Sequence, residues 1–286
     1  MPVNLVRVAD GLNIAVEKAG PENALTVVLL HGGGQTRRSW SRTASALLSE
    51  GYAVISFDAR GHGESDWAAD GDYSPAAQAR DLQSILSGYD ASRVVLVGAS
   101  MGAVTALFYA TGEMPPPAAL VLVDMVLQPV SDSGLRLLNF MTGNPDGFAT
   151  LADAAAAIDA FNPAREKTSD VSRLLPNLRI GQDQRYRWHW DPRLFGDLDK
   201  PTLPDWSGLA DRVSGRVGSP TLLIRGEQSE VVDDAGIEHM SGLIPHLQTA
   251  VIEGAGHMVV GDSNHLFNDA VIDFLKKSRG HTELHF

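Results

Sequence analysis

The sequence contains no cysteine among its 286 residues. Disulfide bonds, zinc sites with cysteine ligands and a thiol nucleophile are therefore excluded. Positive charge is also scarce: 23 lysine and arginine residues stand against 35 aspartate and glutamate residues, which gives a net charge of −12. Proteins that bind nucleic acid or an anionic membrane surface normally present a basic face, so neither is an expected partner.

Long apolar stretches are missing as well. No run approaches the roughly 18 residues that a membrane helix needs. The longest runs, such as Val27–Leu30 and Val94–Val97, have the length of a β-strand. Residues 1–20 do not show the basic start and apolar run of a signal peptide. We therefore predict a protein without membrane contact, located in the cytoplasm.

Strand-sized apolar runs alternate with stretches of helical periodicity along most of the chain. A predicted hairpin around Asp10-Gly11 comes first. Six apolar runs follow it: Ala24–Leu30, Tyr52–Phe57, Arg93–Val97, Ala118–Val123, Pro220–Ile224 and Ala250–Ile252. This alternation is typical of a parallel sheet that helices cover on both faces. It breaks between Met125 and about Arg216, where the pattern indicates helices and loops inserted into one domain.

The strongest chemical signal is Gly98-Ala99-Ser100-Met101-Gly102, between an apolar run and a helical stretch. A tight turn from strand to helix requires small flanking residues and exposes the serine hydroxyl at the end of the sheet. The first turn of the helix then directs backbone N–H groups at developing negative charge. The alternative interpretation is a strand-to-helix turn that only packs closely.

Two other glycine-rich loops follow strands. His31-Gly32-Gly33-Gly34 could supply a backbone N–H, that of Gly33, to pair with the N–H of Met101 in an oxyanion hole. Gly254-Ala255-Gly256-His257 places a histidine late in the chain, at the same edge of the sheet as Ser100. Taken alone, the His31-Gly32-Gly33-Gly34 loop could be merely flexible.

Together with Asp58-Ala59-Arg60-Gly61-His62-Gly63-Glu64-Ser65, these motifs resemble those of the α/β-hydrolase family over essentially the whole chain. The resemblance implies a mostly parallel eight-stranded sheet flanked by helices, with a helical lid inserted after the sixth strand. We place the hydrolase core at residues 1–128 and 205–286 and the lid at residues 129–204.

The same resemblance implies a mechanism. Ser100 is the expected nucleophile, His257 its general base, and the N–H groups of Gly33 and Met101 the oxyanion hole. No metal or organic cofactor is expected. The expected substrate is a small carboxylic ester or lactone, and the oligomeric state stays open.

The acid that orients His257 is the open question of the site. Many members of the family carry it in a G-x-x-D pattern after the seventh strand, where this chain has Ser229. We expect Glu230, the next residue, to be the acid. Asp124, after the sixth strand, is the alternative. As alternatives to these catalytic roles, Glu230 would belong to a solvated acidic turn and Asp124 would cap a loop.

The lid segment contains three aromatic residues within five positions, Tyr186 to Trp190. Trp188 and Trp190 are predicted to line the substrate site, because aromatic side chains commonly line sites for small organic ligands. Alternatively, these rings only anchor the lid to the core.

Other functions use the same residues. A cofactor-free perhydrolase (haloperoxidase) would pass the acyl group to peroxide, and a carbon–carbon bond hydrolase would cleave a different bond. From another class, the chain could be a non-catalytic ligand receptor on this scaffold. Labelling by a fluorophosphonate probe separates enzyme from receptor.

Overall fold

An eight-stranded sheet organises the computed structural model, which describes residues 2–128, 132–161, 170–195, 207–257, 259–262 and 264–282. The strands of this sheet are β1 (Val3–Arg7), β2 (Asn13–Ala19), β3 (Thr26–Leu30), β4 (Ala53–Phe57), β5 (Val94–Ala99), β6 (Ala119–Val123), β9 (Thr221–Gly226) and β10 (Leu247–Ile252). Their order is β1-β2-β4-β3-β5-β6-β9-β10. β2 pairs antiparallel with β1 and β4, and every other pairing is parallel.

Helices cover both faces of this sheet. They are α1 (Ser41–Ser49), α2 (Pro75–Ile85), α3 (Met101–Ala110), α6 (Ser207–Val213), α7 (Asp234–Leu243), α8 (Val259–Asp262) and α9 (Asn264–Thr282). Successive side chains of a strand point to opposite faces. In β3, Val28 and Leu30 therefore belong to the apolar cluster that contains residues of α2, α3, α6 and α7, whereas Val27 and Leu29 belong to the cluster that contains residues of α1 and α9. Burial on both faces explains why this strand is a continuous apolar run.

The inserted segment is a separate group of elements between β6 and β9 in the chain. It contains α4 (Asp132–Thr142), α5 (Leu151–Phe161) and a two-stranded antiparallel sheet of β7 (Leu178–Ile180) and β8 (Tyr186–Trp188). The sequence predicted helices and loops here, and did not predict this hairpin. The predicted lid boundaries at residues 129 and 204 lie outside the described residues, so the division into core and lid stays a prediction.

The fold class predicted from the sequence is confirmed in its core: an eight-stranded, mostly parallel sheet flanked by helices. All six apolar runs and both arms of the N-terminal hairpin are strands. Among the described residues, no helix has the length and apolar character that crossing a bilayer demands.

Candidate active site

The loops that follow β3, β5, β6, β9 and β10 lie at one edge of the sheet. These strands run parallel, so their carboxyl ends share that edge, where open α/β sheets usually bind ligands. The predicted site residues Gly33, Ser100 and His257 all lie in these loops. Asp124 and Glu230 also lie in these loops, so the contacts of His257 decide which of the two carboxylates lies beside it.

Ser100 lies in a strained turn between β5 and α3. Its backbone has a φ of 48°, in the left-handed region that residues other than glycine rarely adopt. A Cβ on Gly98 would overlap the backbone of Gly102, and a Cβ on Gly102 would overlap the backbone of Leu30 in β3. Both glycines are therefore needed for this turn, because helix and strands approach so closely only without side chains.

His257 is hydrogen-bonded to Asp124. The ring Nδ1 donates to Asp124 Oδ2 at 2.6 Å, while the Asp124 carboxylate is buried, with 1% of the side chain exposed. Gly226 N also donates to Asp124 Oδ1 at 3.1 Å, and Ser229 Oγ donates to Oδ2 at 2.7 Å. A carboxylate bound to Nδ1 fixes the tautomer whose Nε2 can accept a proton.

The backbone connects this pair to the serine turn. Ser100 N donates to Val123 O at 3.1 Å, and Asp124 N donates to Ile224 O at 2.7 Å. The ends of β5, β6 and β9 are thus hydrogen-bonded to one another at the site. Asp124 itself has a φ of 47°, a second left-handed residue beside Ser100.

Glu230 does not make the contact expected of it, and the structure corrects that prediction. Its carboxylate forms an ion pair with Arg136 of α4, and 71% of its side chain is exposed. The N–H groups of Val231 and Val232 donate to Ser229 Oγ, which fixes a tight turn with Glu230 on its exposed side. The longer side chain of Glu230 gives no advantage, because Asp124 already occupies Nδ1 of His257.

The glycine loop, His31–Gly34, is held by hydrogen bonds at its first peptides. The carbonyl of Gly32 accepts from His31 Nδ1 at 2.8 Å and from Gln35 N at 3.1 Å. Because the peptide is planar and trans, the N–H of Gly33 points away from that carbonyl. A Cβ added to Gly33 would meet no atom within 4 Å, so the space beside it is open.

Met101, the other expected oxyanion donor, is the first residue of α3. The first N–H groups of a helix have no partner within the helix and carry its partial positive charge. This position suits a donor to an oxyanion. Whether Gly33 and Met101 converge on one oxygen stays a prediction.

Three buried histidines lie in or beside the glycine loop: His31 within it, and His62 and His189 next to it. Burial lowers the pKa of His31, lowers that of His62 well below its usual value and lowers that of His189 to about 4. The three rings are therefore neutral near pH 7. Each of them accepts a backbone N–H, from Ala59, Gly34 and Gly63 respectively.

Hydrogen bonds and ion pairs hold the turn after β4. Asp58 accepts from the backbone N–H groups of Arg37 and Glu64, at 2.8 and 2.9 Å. Arg60 binds Asp81 through two nitrogens, and this pairing holds the pKa of the guanidinium above its ordinary value against the opposing effect of burial. Asp58 is paired with Arg37, and Arg60 with Asp81, and these pairs hold the turn in place.

Trp188 and Trp190 are buried in an aromatic cluster of the inserted segment, together with Met141, Phe148 and Leu174. The two indoles stack with ring centroids 5.0 Å apart, and Trp190 Nε1 donates to Met141 O. The cluster holds α4 against β8. Contact of Trp188 and Trp190 with the substrate stays a prediction.

Two residues at this site were missed by the sequence analysis. Ser229 binds Asp124, and its place where the resemblance expects an acid was a usable signal of a carboxylate nearby. His189 binds the glycine loop. The sequence shows it only as a histidine between two tryptophans, which gives no signal of that bond.

A parallel sheet with a strained serine turn at its carboxyl edge, and a histidine–aspartate pair beside that turn, is the arrangement of an α/β hydrolase. The chain belongs to this family: the family model of the alpha/beta hydrolase fold matches residues 26–263.

Individual relatives are similar over most of the chain. Esterase Rv0045c of Mycobacterium tuberculosis is 28% identical over 268 residues, which cover 90% of this chain and 84% of that protein. The 2-hydroxy-6-oxononadienedioate/2-hydroxy-6-oxononatrienedioate hydrolase 2 of Pseudomonas putida is 28% identical and covers 89% of each chain. The crystal structure of an alpha/beta hydrolase from Novosphingobium aromaticivorans has a TM-score of 0.76 at 23% identity and covers 96% of this chain and 98% of its own.

Proposed function

We propose that the chain hydrolyses a small carboxylic ester or lactone through an acyl-enzyme on Ser100. The observation that carries the proposal is the 2.6 Å bond from His257 Nδ1 to the buried Asp124, at the sheet edge that holds the strained Ser100. The relatives named esterase and hydrolase support hydrolase activity on this fold.

The first half of the reaction forms the acyl-enzyme. Ser100 Oγ attacks the carbonyl carbon while its proton passes to His257 Nε2. The oxyanion receives hydrogen bonds from the N–H groups of Gly33 and Met101. The imidazolium of His257 is stabilised by Asp124, and it then protonates the leaving alcohol as the carbon–oxygen bond breaks.

The second half releases the acid. A water molecule attacks the acyl carbon and gives its proton to His257 Nε2, and the same oxyanion hole holds the second tetrahedral intermediate. When that intermediate collapses, Ser100 leaves and takes the proton back from His257. The carboxylic acid departs and the enzyme returns to its starting state.

Two parts of the proposal concern the inserted segment. We propose that residues 129–204 form a lid over this sheet edge, because α4 and β8 belong to that segment and residues of it contact the glycine loop. We also propose that Trp190 borders the substrate site: its Cζ3 lies 3.3 Å from the place that a Cβ of Gly34 would occupy. Trp188 is proposed to contribute by stacking on it.

The test is a panel of esters and lactones of graded chain length, assayed with wild-type protein and Ser100→Ala. We expect Ser100→Ala to fold normally and to lose about 10⁴-fold or more in kcat, because the nucleophile is gone. Labelling of the wild type, but not of the variant, by a fluorophosphonate probe is the matched check. Ester hydrolysis that persists in Ser100→Ala would refute the assignment.

A carbon–carbon bond hydrolase is the second candidate, favoured because several relatives at 26–28% identity are named 2-hydroxy-6-oxononadienedioate hydrolases. Adding that dienedioate to the panel separates the two activities. A kcat/KM for the dienedioate above that of every ester would favour the second candidate.

A further inference from the structure

His189 connects three parts of the chain through its imidazole ring. Nδ1 accepts from Gly63 N at 2.8 Å, and Nε2 donates to Gly34 O at 3.2 Å. Gly63 belongs to the turn after β4 and Gly34 to the glycine loop after β3, whereas His189 follows β8 of the inserted segment. A ring that accepts at one nitrogen and donates at the other is neutral, with its proton on Nε2.

The backbone around His189 is fixed independently of the ring. His189 N donates to Asn177 O at 3.1 Å, and Asp191 N donates to Gly61 O at 2.8 Å. The histidine is buried, with 2% of its surface exposed. The ring therefore contacts the glycine loop from a backbone segment that its own hydrogen bonds hold in place.

Both polar groups of Gly34 are bound by histidines. Its N–H donates to His62 Nε2 at 3.1 Å, and its carbonyl accepts from His189 Nε2. The φ of Gly34 is +72°, and a Cβ there would lie 2.9 Å from Met141 Cε and 3.3 Å from Trp190 Cζ3. Glycine is the residue that this position accommodates, and glycine has no side chain to restrict its own backbone.

We propose that His189 is a positioning residue for the oxyanion hole: through its bond to Gly34 O it holds the glycine loop so that the N–H of Gly33 meets the developing oxyanion. The inference rests on the proposed function. The expected effect is on kcat, because the oxyanion forms only in the transition state and a displacement of about 1 Å can cost on the order of 100-fold.

Three substitutions separate the two bonds of the ring. His189→Gln places an amide nitrogen near the position of Nε2, so it keeps the donor to Gly34 O. His189→Asn places an amide oxygen near the position of Nδ1, so it keeps the acceptor for Gly63 N and loses the donor to Gly34 O. His189→Phe keeps the ring and removes both nitrogens. His246→Gln is the matched control, because His246 bonds Ser219 O outside the site.

We expect His189→Asn and His189→Phe to lower kcat by about 10- to 100-fold while KM changes by less than about 3-fold, and His189→Gln and His246→Gln to keep kcat within about 3-fold of wild type. Amide hydrogen exchange, resolved for Gly34 and Gly63, reports on the loop without catalysis. Gly34 should exchange faster in His189→Asn than in His189→Gln. Gly63 should exchange faster in His189→Gln than in His189→Asn.

Each outcome bears on a separate statement. If hydrolysis depends on Ser100 but kcat is the same in the Asn and Gln variants, the positioning role is refuted and the proposed function stands. If no hydrolysis depends on Ser100, the proposed function fails and the role in the oxyanion hole fails with it. Should His189→Phe not fold, the Asn and Gln pair alone decides the question.

Discussion

The carboxylate of Asp124 receives hydrogen bonds from three separate places: the end of β9, the turn after it and the loop after β10. These three hydrogen bonds fix the orientation of the carboxylate. The left-handed backbone of Asp124 directs its side chain into the site at some cost in conformational strain. Residues held in such backbone conformations are typical of functional sites.

Asp124→Asn should therefore lower kcat by about 10³- to 10⁴-fold, because an amide cannot stabilise the imidazolium of His257 and favours the wrong tautomer. Glu230→Gln removes a charge from an exposed ion pair and should leave kcat within about 3-fold of wild type. The two variants, assayed side by side on the same ester, form a matched pair. A collapse of activity in Glu230→Gln with an active Asp124→Asn would reverse the assignment.

Sequence motifs pointed to Ser100, His257 and the glycine loop as candidates, because each is a short pattern whose local geometry depends on its own glycines. The carboxylate that binds His257 could not be identified in this way. Asp124 and Glu230 both follow strands, and the choice depends on the distance across β6, β9 and β10, which is set by strand pairing. A pattern along the chain does not contain that distance.

The inserted elements pack through the aromatic cluster around Trp188 and Trp190. Phe140 of α4 lies 5.5 Å from the Trp188 ring and stacks on Phe161 of α5 with ring centroids 4.4 Å apart. Phe148 meets the edge of Trp188. The cluster has its own apolar interior, so the inserted elements do not depend on the main core alone.

Trp188→Ala should lower the free energy of unfolding by about 3–5 kcal/mol, since it leaves a cavity among these rings. Trp190→Ala should cost a similar amount and should also change KM or chain-length preference, because Trp190 borders Gly34. Chemical denaturation and ester kinetics on both variants test this difference. Equal kinetics in the wild type and Trp190→Ala would leave Trp190 as an anchor only.

The eight-stranded sheet could be predicted from the sequence, and the two-stranded sheet of β7 and β8 could not. Buried parallel strands are continuous apolar runs, which a sequence displays directly. β7 and β8 are three residues each, their burial is uneven, and arginine occupies the middle of both. Their pairing depends on the surface beneath them, where Asp191 N and Arg179 Nη2 donate to backbone carbonyls of the turn after β4.

The molecule as a whole carries three buried neutral histidines where the inserted segment meets the core. For His189, burial is the largest cause of the lowered pKa; the neighbouring His31 and Arg179 lower it further, and Asp58 opposes them. Above pH 6.5 the ring is neutral in both the folded and the unfolded chain. Below pH 6.5, His189 binds a proton in the unfolded chain, whereas in the folded chain it binds one only near pH 4.

The free energy of unfolding should therefore fall as the pH falls from about 6.5 to 4, and His189 alone should account for about 3 kcal/mol of that loss. His31 and His62 act in the same direction. Urea denaturation between pH 7.5 and 4.5 measures the slope, and His189→Gln should reduce it by up to one proton. An identical slope in the variant would show that His189 titrates alike in both states.

The bond between Ser229 and Asp124 limits which side chain position 229 can carry. Ser229 stands where the resemblance to the family places an acid, and its Oγ lies 2.7 Å from the carboxylate that binds His257. A carboxylate at position 229 would lie beside that of Asp124, and two ionised carboxylates so close repel each other. Serine at this position binds Asp124 without adding a second negative charge to the buried site.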